Sequence, residues 1–171
     1  MSQLTTSAGP AFALDPHPSP TSPAARAEQL VAPGFGVVFT DHMASIQWRA
    51  GEGWSGHAVV PHAPLSLWPA TSVLHYAQAI FEGLKAYRWA DGSIHTFRPQ
   101  ANAERFQKSA QRLALPELPA ADFIASLEAL VSVDRDWVPG EDGTSLYLRP
   151  FMYASESFLG VRPSHTVHYL A

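Results

Sequence analysis

Five side chains in this 171-residue sequence have the chemistry to recognise a small molecule that is charged at one end and apolar at the other: Tyr76, Phe81, Arg105, Tyr147 and Arg149. Tyr147 and Arg149 stand two apart in SLYLRPFMYA. On a strand that spacing sends both to one face, with Leu146 and Leu148 on the other. A guanidinium fork beside a phenol hydroxyl suits a carboxylate. The same pattern suits a structural role, with Arg149 turned inward and paired to an acidic neighbour, because a buried unpaired charge is costly. Arg105 lies near the apolar stripe of a predicted helix. It reads as a solvated helix charge or as a phosphate contact. Tyr76 and Phe81, five apart around a predicted short helix, read as core or as two walls of one pocket.

Other candidates carry less. Lysine occurs only at Lys85 and Lys108. Lys85, in EGLKAYR, has the type needed for a Schiff base, but that role requires burial or a nearby cation to deprotonate it. Its place in a strand is better suited to protecting a sheet edge. Among eight histidines, His165 and His168 point to opposite faces of a strand, and His57 and His62 are separated by Pro61. Neither pair has metal-ligand spacing, and no GxSxG nucleophile elbow is present. With no cysteine, disulfides, thiolate catalysis and Cys-type zinc sites are excluded.

The elements that must hold these residues follow from pattern. Residues 1–34 form a Pro-rich lead, punctuated by Pro10, Pro16, Pro18, Pro20, Pro23 and Pro33, and are expected to be flexible or extended. Within it AARAEQL is expected to form one short helical turn. GVVFTDHMASIQW predicts two short strands around a turn at Asp41. HAVVPHAPLSLWP is strand-like but interrupted by prolines, which belong at edges or in loops. Val73–Glu82 predicts a turn or two of helix. LKAYRW and SIHTFR predict a hairpin through a type I′ turn at Asp91-Gly92. Pro99 opens a helix whose buried stripe is Ala103, Phe106, Ala110 and Leu113. A second helix runs from Ala120 to Arg135, with Phe123, Leu127, Leu130 and Val131 inward. SLYLRPFMYA and HTVHYLA are each predicted to be one strand. The fold class expected is α+β, a mostly antiparallel sheet with two adjacent helices. The domain organisation expected is a lead over 1–34 and one small domain over 35–171, cut short in its last strand.

Composition narrows the class. The length fits about one domain. Apolar residues make up 46% and charged residues 15%, the latter below the roughly 25% of ordinary domains. With five tryptophans, this predicts apolar surface that a partner or second domain covers. A net charge of −4 without a basic patch argues against nucleic acid as a partner. No apolar run approaches the roughly 20 residues that span a bilayer, so no membrane partner is expected. There is no basic segment leading into an apolar one at the N-terminus, so a cytoplasmic location is expected.

FTDHM, LHYAQAIFEGLKAYR, FRPQANAERFQKSAQRLALPELP and SLYLRPFMYASESFLGV together resemble the N-terminal part of branched-chain amino acid aminotransferases, fold-type IV enzymes that use pyridoxal 5′-phosphate. The resemblance runs from about Gly34 to Ala171. It implies transamination of leucine, isoleucine and valine with 2-oxoglutarate, giving branched-chain 2-oxo acids and glutamate. It implies that Arg105 holds the cofactor phosphate and that Tyr76 and Phe81 wall the substrate side-chain pocket. Tyr147 would orient the substrate carboxylate, and Arg149 would receive the distal carboxylate of glutamate or 2-oxoglutarate. Val161 would reach into a neighbouring subunit's pocket, in a homodimer or larger homo-oligomer. Lys85 matches no catalytic position. The Schiff-base lysine of the family lies in a C-terminal cofactor domain absent from this chain, so the chain by itself is expected to be inactive. Two alternatives stay open: another fold-type IV enzyme, such as a D-amino acid transaminase or aminodeoxychorismate lyase, and a non-enzymatic small-ligand-binding or interaction domain.

Overall fold

The computed structural model describes the backbone of Ser2–Gln3 and all of residues 9–171. Its strands are β1 (Ser2–Gln3), β2 (Ala13–Leu14), β3 (His42–Arg49), β4 (Gly53–Pro61), β5 (Ala79–Phe81), β6 (Leu84–Arg88), β7 (Ile94–Thr96), β8 (Leu146–Leu148), β9 (Phe151–Ala154) and β10 (Thr166–Leu170). Its α-helices are α1 (Pro23–Val31), α2 (Ser72–Tyr76), α3 (Pro99–Arg112) and α4 (Ala120–Val133), with a 3₁₀ turn at Arg135–Trp137. The class is α+β. The strands form two sheets, ordered β1-β7-β6-β8 and β2-β4-β3-β10-β9-β5, antiparallel except where β2 meets β4.

The larger sheet packs one face on α3 and α4. Ala44, Ile46, Val59, Met152, Val167 and Tyr169 point that way and are buried, meeting Phe106 of α3 and Phe123 of α4. Tyr169 is fully enclosed, and burial pushes its phenol above the ordinary value; its hydroxyl meets Ser126 Oγ at 2.7 Å. Alternation along each strand therefore decides which side chains reach the core. The two helices keep the predicted stripes, except that Leu113 is 41% exposed where α3 ends.

Several local expectations are corrected. Asp41 is not a turn between two strands. Gly36–Thr40 is irregular, and Asp41 collects donors from Thr21 N, Thr21 Oγ1 and Trp137 Nε1 at 2.7–3.0 Å. AARAEQL lies in a nine-residue helix, because Ser22 caps it and Pro23 occupies the first turn. α2 stops at Ala77, which takes a left-handed φ of 51°, so Phe81 and Glu82 are not helical. The hairpin at Asp91-Gly92 has positive φ only at Gly92. Gly92 N–H donates to Trp89 O, and Trp89 N–H donates to Ser93 O, both at 2.9 Å. That is a type I turn closed by a glycine bulge, not type I′. α4 ends at Val133, and Arg135 lies in the following 3₁₀ turn.

SLYLRPFMYA is two strands rather than one. β8 pairs with β6 in the smaller sheet and β9 with β5 in the larger. The chain changes sheet at Arg149-Pro150, where proline has no N–H to continue the ladder. Its antiparallel neighbour changes sheet at the same level, through Glu82-Gly83 between β5 and β6, and Glu82 N–H donates to Pro150 O at 2.8 Å. The two sheets thus meet at a paired corner.

Candidate functional site

Four of the five sequence candidates reach this corner. Arg105 leaves α3, packed beside β5, and grips the corner residue Glu82. Its Nε donates to Glu82 Oε1 at 2.8 Å and its Nη2 to Oε2 at 2.7 Å. Asn102, one helical turn earlier, donates its side-chain amide to Glu82 Oε2 at 2.8 Å. The carboxylate is buried, while the Arg105 side chain is 60% exposed. Burial alone would push the Glu82 carboxyl up. The hydrogen bonds from Arg105, Asn102 and Gly83 N–H outweigh it and hold the group below its ordinary value. Glu82 in turn raises the Arg105 guanidinium. An exposed, permanently charged guanidinium, held along one edge, is a suitable anchor for an anion.

Tyr147 and Arg149 do share a face. Arg149 Nη2 and Nε donate to Tyr147 Oη at 3.1 and 3.2 Å. Arg149 is not the inward, acid-paired arginine of the structural alternative. It is exposed, and its guanidinium lies 4.6 Å from the Phe81 ring centroid and 5.2 Å from that of Tyr147. It follows Leu148, the last residue of β8, where the chain leaves the smaller sheet. Stacking on aromatic faces holds a cation without neutralising it. Phe35 meets the Tyr147 ring edge-on at 5.2 Å. Hollows of about 290 and 500 Å³ open beside Tyr147 and Arg149, both walled by Val38 and Phe39 and the first also by Phe151.

Tyr76 and Phe81 do not lie around a common helix. Phe81, on edge strand β5, is 64% exposed and stacks on Arg149. Tyr76 ends α2 and donates its hydroxyl to Leu159 O at 2.7 Å. That carbonyl belongs to the 155–164 loop, which carries Val161 at its tip, 95% exposed. Arg162 grips Glu156 at 3.0 and 2.8 Å and covers Phe158, while Ser72 Oγ donates to the carbonyls of Glu156 and Phe158.

Lys85 is exposed, but β6 lies inside its sheet, so its edge-protecting role is corrected. It stands directly across from Tyr147. His57 pairs with Asp122 at 2.8 Å, and His168 lies between Ser45 Oγ at 2.8 Å and Tyr153 Oη at 3.2 Å. Among the described residues no three His, Asp or Glu side chains group to hold a metal, and no helix is long and apolar enough to cross a membrane.

Sequence reasoning missed Glu82, Gly83 and the Val38–Phe39 wall. An acid between apolar neighbours in AIFEGL was the available signal for Glu82. The wall comes from an irregular segment and carried none.

No family model matches the chain. Over 160 residues, 93% of its length, it is 55% identical to the branched-chain-amino-acid aminotransferase of Mycolicibacterium smegmatis. It spans 44% of that relative's length. Among solved structures, the branched-chain aminotransferase of Thermoproteus uzoniensis, determined with norvaline, superposes with a TM-score of 0.56 over 76% of this chain and 40% of its own, at 22% identity. A T.th. branched-chain amino acid aminotransferase, complexed with N-(5′-phosphopyridoxyl)-L-glutamate, superposes with a TM-score of 0.52 over 74% and 40%, at 26% identity. By sequence and by fold, the chain is a homologue of the N-terminal part of the branched-chain amino acid aminotransferases.

Proposed function

We propose that this chain is the substrate-side part of a pyridoxal 5′-phosphate enzyme that moves the amino group of leucine, isoleucine or valine onto 2-oxoglutarate. The observation that carries the reading is the 55% identity to a branched-chain-amino-acid aminotransferase over 93% of the chain. The residues fit the phosphate end of the cofactor, since Arg105 offers one exposed guanidinium already fixed in direction. Bound, that cofactor supplies the electron sink that amino-group transfer needs. Both lysines are exposed, so neither is read as the lysine that carries it.

The rest of the chemistry here is binding and orientation. Arg105 takes the phosphate oxygens. Phe81 and Tyr76 offer apolar surface to branched side chains, which gain by leaving water. Tyr147 Oη orients the substrate carboxylate. Arg149 receives the distal carboxylate of glutamate or 2-oxoglutarate, exchanging an apolar contact for a charge-assisted hydrogen bond. Val161, at the tip of a braced loop, serves a neighbouring subunit in a homodimer or larger assembly. The location proposed is the cytoplasm.

The test is amino-group transfer by the complete protein. Leucine with 2-oxoglutarate should give glutamate and the branched-chain 2-oxo acid. Equal or faster transfer from D-alanine would overturn the branched-chain reading.

A further inference from the structure

Phe81, Glu82 and Gly83 are consecutive, and each touches a different member of the candidate site. Phe81 lies under Arg149. Glu82 clamps Arg105 through both carboxylate oxygens. Gly83 lies under Tyr147: a Cβ added there would be 2.1 Å from Tyr147 Oη and 2.9 Å from Cζ. The tripeptide is itself pinned. Glu82 N–H donates to Pro150 O, next to Arg149, and Asn102 donates to both Glu82 Oε2 and Gly83 O.

We propose that Phe81-Glu82-Gly83 is the positioning device of the site, with Glu82 aiming the Arg105 guanidinium at a phosphate and Gly83 giving the Tyr147 hydroxyl the room it needs to steady Arg149. The proposal rests on the roles given above to Arg105, Tyr147 and Arg149. A free arginine side chain samples many rotamers, and fixing one lowers the cost of binding. Glu82 fixes it along the Nε–Nη2 edge, leaving Nη1 without a hydrogen bond among the described residues. Gly83 acts by absence. With no side chain, it lets Tyr147 Oη approach the corner, where Arg149 donates to it at 3.1 and 3.2 Å. One corner thereby registers the phosphate-side arginine against the carboxylate-side pair. A misplacement of about 1 Å at such a site can cost on the order of a hundredfold in rate.

The test uses the complete enzyme and two separate readouts. The first is the dissociation constant of pyridoxal 5′-phosphate, from titration of apoenzyme followed by intrinsic fluorescence. The second is KM for leucine and 2-oxoglutarate at saturating cofactor. Glu82→Gln should raise the cofactor constant about tenfold, the loss of one good charge-assisted contact, and leave both KM values within about twofold. Gly83→Ala should do the reverse, raising KM for 2-oxoglutarate about tenfold with the cofactor constant within about twofold. In a Tyr147→Phe background the Gly83→Ala effect should shrink to about threefold, since the hydroxyl that conflicts most is gone and the ring carbon at 2.9 Å remains in the way. Should Glu82→Gln not accumulate as folded enzyme, Asn102→Ala takes its place and should raise the cofactor constant about threefold.

Unchanged or tighter cofactor binding in Glu82→Gln, with Arg105→Ala still losing the cofactor, overturns the proposal and leaves the Arg105 assignment standing. Full cofactor retention in Arg105→Ala overturns both. Equal Gly83→Ala effects with and without the Tyr147 hydroxyl overturn the Gly83 role.

Discussion

Arg105 and Glu82 form a bidentate pair in which one partner is exposed and the other buried, so a change at Arg105 has two consequences of different size. For binding, Arg105→Ala removes the proposed phosphate anchor, and cofactor affinity should fall at least about thirtyfold, as loss of a strong charge-assisted contact implies. For folding, it leaves Glu82 with Asn102 and Gly83 N–H as donors. Solvent screening of the exposed guanidinium limits that cost to about 1 kcal/mol. Apoprotein melting and cofactor titration separate the two. The folding cost is also pH-dependent. Because the Glu82 carboxyl is held below its ordinary value of 4.5, its pairing stabilises the fold above about pH 4.5 and is lost as pH falls through the folded value. The gap in melting temperature between wild type and Arg105→Ala should therefore narrow under acid conditions, and a constant gap would argue against the carboxylate as its source. At this scale the sequence was partly readable. A lone helix arginine is ambiguous until its partner is known, and Glu82 lies 23 positions away. Tyr147 and Arg149 were placed on one face by strand period, but whether Arg149 turned inward to an acid or outward was left open, and only the fold decided it.

The 155–164 loop shows how an irregular element is held without a ladder of its own. Glu156 accepts from both terminal nitrogens of Arg162 and from His165 N–H at 2.6 Å. The guanidinium contact comes first in holding its carboxyl down to about 2. Its stabilisation is therefore complete above about pH 4.5 and is lost as pH falls toward 2. Glu156→Gln should cost about 1 kcal/mol at neutral pH, by analogy with other partly exposed charge-assisted pairs. The difference from wild type should fade as the pH is lowered through that window. Faster amide hydrogen exchange confined to the loop would locate the loss there, and exchange unchanged from wild type would sink this account. The bracing from outside the loop was not visible in sequence, because it depends on α2 approaching through Ser72 and Tyr76. The neighbouring misreading has the same origin. Local pattern continued the helix to Glu82, whereas pairing of Ala79–Phe81 with Phe151–Tyr153 draws the chain into the sheet.

For the molecule as a whole, stability is concentrated between the larger sheet and the two helices. Phe106 is fully buried there, with Phe123 and Tyr169 as ring neighbours at 5.4 and 5.7 Å. Phe106→Ala should cost about 3–5 kcal/mol in denaturant unfolding through lost burial and the cavity left behind. A loss below about 1 kcal/mol would place the core elsewhere. On the outside, large apolar side chains such as Phe35, Trp68, Phe81 and Val161 are more than 60% exposed. The sequence by itself determined the α+β class, the two helices and their buried stripes, and the family likeness, because these rest on periodicity and on blocks of residues contiguous in the chain. Only the tertiary structure decided that β5–β6 and β8–β9 cross between sheets together, and that Arg105, Glu82, Gly83, Tyr147 and Arg149 meet at that crossing. Such contacts join residues as distant in sequence as Phe81 and Arg149. No local period records where a proline without an N–H and a glycine without a side chain let two strands turn at one level.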